Sequence, residues 1–110
     1  MAYGNLGNAY GELRQYCKAI EMLKKGLAIA LEVGDRAGEG TAYGNLGVAY
    51  GELGQFHKAI EMHEKYLVIA LEVGDKAGEA IAFHNLAIAY ENAGQPDKAA
   101  EIRQAASHPA

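Results

Sequence analysis

The chain has 110 residues, enough for one domain or for a few units of a repeat array. Half of it is apolar, but Ala and Gly make up about a third of all residues and Trp is absent, so bulky side chains for a deep core are scarce. A net charge of -4 argues against binding nucleic acid or an anionic membrane, and a single cysteine excludes a disulfide-stapled fold. No apolar run reaches the roughly 20 residues of a membrane helix, and no signal-peptide pattern opens the chain. These features lead to the expectation of a helix-rich cytoplasmic protein.

Six helices are predicted in chain order: 1–13, 16–33, 36–53, 56–73, 76–93 and 96–106. Their punctuation falls on two kinds of site. Gly54-Gln55 and Gly94-Gln95 separate helices in pairs, and Gly34-Asp35 and Gly74-Asp75 separate one pair from the next. Glycine tolerates the left-handed backbone that ends a helix, and aspartate accepts from the first free N–H groups of the helix that follows. Pro96 stands where a first helical turn accepts proline. Arg14 occupies the place of Gly54 and Gly94, so a non-glycine residue is expected there in a left-handed conformation. No segment alternates with a strand's period of two.

A shift of 40 lays the sequence on itself. Residues 2–41 and 42–81 are identical at 29 of 40 positions, and a diverged third copy begins at Ala82-Phe83-His84-Asn85-Leu86. A period of this length marks stacked supersecondary units, each burying a face against its neighbours. The chain is therefore read as one all-α domain over 1–110, a solenoid of three helical hairpins with repeats at about 1–41, 42–81 and 82–107. The columns Tyr3/Tyr43/Phe83, Leu6/Leu46/Leu86 and Tyr10/Tyr50/Tyr90 recur at helical spacing and are expected to fill the seams between helices. Gly7 and Gly47, each four residues before Gly11 and Gly51, are expected to let helix backbones approach closely, which offsets the cost of glycine within a helix.

The motif Tyr43-x2-Leu46-Gly47-x2-Tyr50, with its counterparts from Tyr3 and Phe83, resembles the first-helix signature of the tetratricopeptide repeat (TPR) family. Ala19-x3-Leu23 and Ala59-x3-His63 stand in the place of the second-helix signature. The period is 40 rather than 34, and Leu31 and Leu71 lie near the position of the usual terminal proline. Within the family, Lys58-Ala59-Ile60-Glu61-Met62-His63 and Gly38-Glu39-Gly40-Thr41-Ala42-Tyr43 are similar to the 40-residue repeats of LGN/Pins-like adaptor arrays. The resemblance implies a right-handed solenoid that binds a protein or peptide segment in a groove lined by the first helix of each repeat.

Carried over position by position, the resemblance marks Gly4, Asn5, Asn8, Gly11 and Glu12 as groove residues of repeat one. In repeat two it marks Gly44, Asn45, Val48, Gly51 and Glu52, and in repeat three His84, Asn85, Ile88, Glu91 and Asn92. An asparagine amide both donates and accepts, so it can bond an extended backbone; bonding within the solenoid is the alternative use. The basic clamp that chaperone-binding relatives place around a C-terminal carboxylate is missing, with Gly4, Gly44 and His84 at its key place. Glu12, Glu52 and Glu91 stand near first-helix C-termini, where the helix dipole disfavours them; a basic ligand would benefit, and a solvated rim is the other reading.

Chemistry finds little footing. The histidines are His57, His63, His84 and His108, with Cys17 in the column of His57; no metal, phosphate-loop or paired-cysteine motif contains them. His63 is expected to pack, and Ser107 has no base or oxyanion partner. Neither an enzyme nor a cofactor is expected. Two functions stay open: a peptide-binding module, and a self-assembling scaffold that forms a homodimer or higher assembly. For the scaffold, the face of the first helix and the apolar Val48, Ile81 and Ile88 offer surfaces. Near-identical copies and an opening inside the helical pattern are what an excerpt of a longer array, or an engineered array, would show.

Overall fold

The computed structural model describes residues 2–107; His108 lies outside them. It contains α1 (Ala2–Glu12), α2 (Tyr16–Val33), α3 (Arg36–Glu52), α4 (Phe56–Val73), α5 (Lys76–Asn92) and α6 (Pro96–Ser107), and no strand among the described residues. The predicted boundaries that fall on described residues hold to within one residue; the predicted start at residue 1 lies outside them. Each helix packs on its neighbours in sequence, and α1 also touches α3 as α3 touches α5. The result is an all-α solenoid of three hairpins, 36 × 29 × 18 Å, in which the first helices line up on one side of the stack.

Local chemistry sets the helix ends as the sequence predicted. Gly34 and Gly74 cap α2 and α4 at φ 73° and 72°. Asp35 and Asp75 then start α3 and α5, each accepting through its side chain from the backbone N–H of Gly38 or Gly78 at 2.9 Å. Inside the hairpins the left-handed residues are Gly54, Gly94 and, at φ 60°, Arg14. Arginine thus holds a conformation that its Cβ disfavours.

The core runs the length of the stack through Ile20, Leu23, Leu46, Tyr50, Ile60 and Leu86. Leu46 and Leu86 are fully buried, but Leu6 in the same column is 43% exposed, against the expectation that it fills a seam. The reason is positional: α2 and α4 pack on α3 and α5, and within these residues no hairpin packs on the corresponding side of α1. Close approach holds at Gly7 and Gly47. A Cβ on Gly7 would stand 2.7 Å from Leu23 Cγ, and one on Gly47 would stand 2.5 Å from His63 Cε1. It does not hold at Gly11, which has nothing within 4 Å of such a Cβ, or at Gly51, where the nearest atom is 3.9 Å away.

Candidate functional site

Along α3, Thr41, Asn45, Val48 and Glu52 fall at helical spacing on one stripe, and Ile81, Asn85, Ile88 and Asn92 repeat it on α5. Asn5, Asn8 and Glu12 supply the same stripe on α1. Between these helices lie three adjoining depressions. The first, of about 300 Å³, is lined by Asn5, Asn8, Thr41 and Asn45. The second, of about 350 Å³, takes Asn8, Glu12, Asn45 and Val48, with Leu23 of α2 at its base. The third, of about 440 Å³, takes Val48, Glu52, Asn85, Ile88 and Asn92, with His63 of α4 at its base. Shared residues join them into one furrow.

The furrow is partly polar and, among the described residues, is lined by no lysine or arginine. Its charged lining residues are Glu12, Asp35 and Glu52. Four lysines stand instead over tyrosine rings in the hairpin seams: Lys18 over Tyr10, Lys25 over Tyr3, Lys58 over Tyr50 and Lys65 over Tyr43, at 5.3 to 5.9 Å from the ring centroids. Among the described residues, the side chains of Asn5, Asn8, Asn45 and Asn85 make no hydrogen bond within the fold. Val48 and Ile88 are 47% and 38% exposed and give the furrow apolar walls.

Two residues carried over from the family pattern lie elsewhere. His84 lines a separate depression between α5 and α6, with Phe83, Arg103 and Ala106. Its equivalent Gly44 faces Tyr66 of its own hairpin, whereas Gly4 in the same column lines the first depression. Glu91 accepts a single charge-assisted hydrogen bond from the guanidinium of Arg103 on α6. The acid column on the furrow is therefore Glu12 and Glu52, continued by Asn92; Glu91 stands in the column of Gly11 and Gly51, which line the second and third depressions, but its own carboxylate goes to Arg103.

His63 packs as expected, at 3% exposure, and its Nδ1 has no hydrogen-bond partner. Burial lowers its pKa from 6.5 to about 4, which leaves the imidazole neutral at the base of the third depression. Its place in the furrow was not read from the sequence, which marks it only as the counterpart of Leu23 in the second-helix signature. Other ionic contacts are structural. Arg36 reaches Glu39 at 2.8 Å and Glu72 at 2.6 Å, which ties the start of α3 to the end of α4. Among the described residues, no group of three or more His, Cys, Asp or Glu side chains is placed to hold a metal ion, and no helix is long and apolar enough to cross a membrane.

Family models described as "Tetratricopeptide repeat" match residues 1–72 and 82–108. The solved TPR domain of Arabidopsis FLU superposes with a TM-score of 0.90, over 96% of this chain and 88% of that one. At 23% identity that likeness speaks for the fold alone. No curated protein matches the chain, so the narrower similarity to LGN/Pins-like arrays rests on the quoted phrases only. With family models covering both the near-identical repeats and the diverged third one, the chain belongs to the tetratricopeptide repeat family.

Proposed function

We propose that this chain is a non-enzymatic interaction module, a cytoplasmic adaptor that holds a protein or peptide segment along the furrow of α1, α3 and α5. TPR repeats are in general protein-interaction modules. One observation carries the reading to this face: Asn5, Asn8, Asn45 and Asn85 line the depressions with amides that the fold itself does not use. Spaced amides can bond the backbone of an extended segment without demanding one sequence. The apolar Val48 and Ile88 between them give side chains of that segment a surface to cover. The exposed free thiol of Cys17 suits a reducing compartment.

The test is selection from a displayed library of random unstructured dodecapeptides. Selected peptides should bind the native protein and its Lys24→Gln variant equally, and lose at least tenfold in affinity for Asn45→Ala/Asn85→Ala. Peptides indifferent to the double substitution would place recognition on another face.

Self-assembly has its own observation. Ala2, Leu6 and Ala9 form an exposed apolar stripe along α1 that Leu13 continues just past its end, with Leu6 43% and Leu13 66% exposed. The same stripe on α3 and α5 is largely covered by the preceding hairpin, so a second copy that buries it would form a homodimer. Sedimentation over a hundredfold concentration range separates the two: a constant monomer mass excludes assembly by this stripe.

A further inference from the structure

The second and third depressions are one design made twice. Each of the ten residues that line the second has its counterpart 40 positions later in the lining of the third. Glu12 corresponds to Glu52, Asn45 to Asn85, Val48 to Ile88 and Leu23 to His63. A ligand that satisfies one is thus offered a second, equivalent place one repeat further on.

The chemistry of each place points to a long cationic side chain. Glu12 and Glu52 are exposed, form no ion pair among the described residues, and sit at helix C-termini where a positive charge is favoured. Tyr16 in one depression and Phe56 in the other, with Val48 and Ile88, make walls along which an aliphatic stem can lie while its charged head meets the carboxylate. Independently of the acids, His63 lies 97% buried at the base of the third depression with Nδ1 unpartnered, a polar group beneath the place of the side chain whose hydrogen bonding the fold leaves incomplete. A neutral imidazole also does not repel a cation.

Geometry sets the spacing. Cα atoms of α1 and α3 approach within 8 Å, as do those of α3 and α5. Packed neighbouring helices of this kind stand about 8–10 Å apart. A polyproline II segment repeats its facing side chains every three residues, about 9.3 Å, whereas an extended strand repeats them every two, about 6.7 Å. The first repeat matches a spacing of about 8–10 Å, and the second falls short of it.

We propose that the furrow takes a basic segment in polyproline II conformation, with lysine or arginine side chains three residues apart entering the two equivalent depressions against Glu12 and Glu52. This rests on the peptide-binding reading above and adds charge, conformation and spacing to it.

Nitrogen-15 amide spectra of the 110-residue protein, titrated with three synthetic peptides, test it. One peptide holds four Pro-Pro-Lys units, one replaces each Lys by Gln, and one spaces Lys by three prolines. The first should shift the amides of Val48, Asn85 and Ile88 and bind at least about fivefold tighter than the other two. Glu12→Gln and Glu52→Gln should each weaken it about two- to fivefold and flatten its salt dependence. His63→Leu, which copies Leu23, should weaken it while melting cooperatively. Equal affinity for the altered spacing, or full affinity in the Glu12→Gln/Glu52→Gln variant, overturns the proposal. If the Gln peptide moves the same amides as strongly, charge is refuted and the furrow remains a peptide site. Shifts confined to other faces with every peptide, including those from library selection, refute both readings.

Discussion

Replacing Gly47 by alanine and, separately, Gly51 by alanine adds the same methyl group to one helix, four residues apart, and the two effects should have opposite signs. In a helix interior alanine is favoured over glycine by about 1 kcal/mol. At Gly51 nothing opposes that gain, because the nearest atom to the new Cβ is Ala59 Cβ at 3.9 Å. This variant should gain about 0.5–1 kcal/mol. At Gly47 the new Cβ would stand 2.5 Å from His63 Cε1, 2.6 Å from Nε2 and 2.7 Å from Nδ1. The ring is buried at 3% exposure, so it must push its neighbours or force α3 from α4. Overpacking of this kind costs about 1–3 kcal/mol, which exceeds the helical gain in all but the mildest case. Thermal melts followed by helical circular dichroism should separate the two variants by several degrees, since about 1 kcal/mol moves a domain of this size by roughly 4–8 °C. Trimming the ring as well, in Gly47→Ala/His63→Ala, should abolish the penalty at position 47 and show as coupling in a double-mutant cycle. A Gly47→Ala variant that melts at or above the parent, or a cycle without coupling, refutes the packing described for α3 and α4.

Arg14→Gly relieves a left-handed arginine and matches Gly54 and Gly94, so it should raise the melting midpoint by a few degrees, the gain of about 1–2 kcal/mol exceeding the added entropy of the unfolded chain; a lower midpoint would contradict this. His63 protonates near 6.5 when unfolded and near 4 when folded, so the unfolded chain binds more protons between these values. Its contribution to stability should be full above about pH 6.5, decline as the pH falls to about 4, and level off below, and a set of melts across that range should lose this slope in His63→Leu. Asp75→Ala removes the acceptor of the Gly78 N–H at the start of α5 and should cost about 1 kcal/mol in urea denaturation, while Asp75→Asn should retain most of it.

The helical architecture was legible because it is written in local and periodic terms. Gly34-Asp35 and Gly74-Asp75 mark ends that any helix must satisfy with its own backbone groups, and the 40-residue period states that each hairpin meets the next in the same way. The same logic makes Arg14 stand out in a column of glycines and puts Asn45, Val48, Asn85 and Ile88 on one face. What a side chain meets on the partner helix was not legible. Glu91 and Glu52 lie at neighbouring helix ends with the same charge, yet Glu91 turns to Arg103 of α6 while Glu52 faces the furrow. His84 shares a first-helix position with Gly4 and Gly44 but lines the cleft of its own hairpin. His63, read only as a packing residue, proves to be the floor of a depression because Gly47 across from it lacks a Cβ. One helix's period fixes the direction of a side chain about its own axis; the group it meets is supplied by another helix, so only the packed structure decides it.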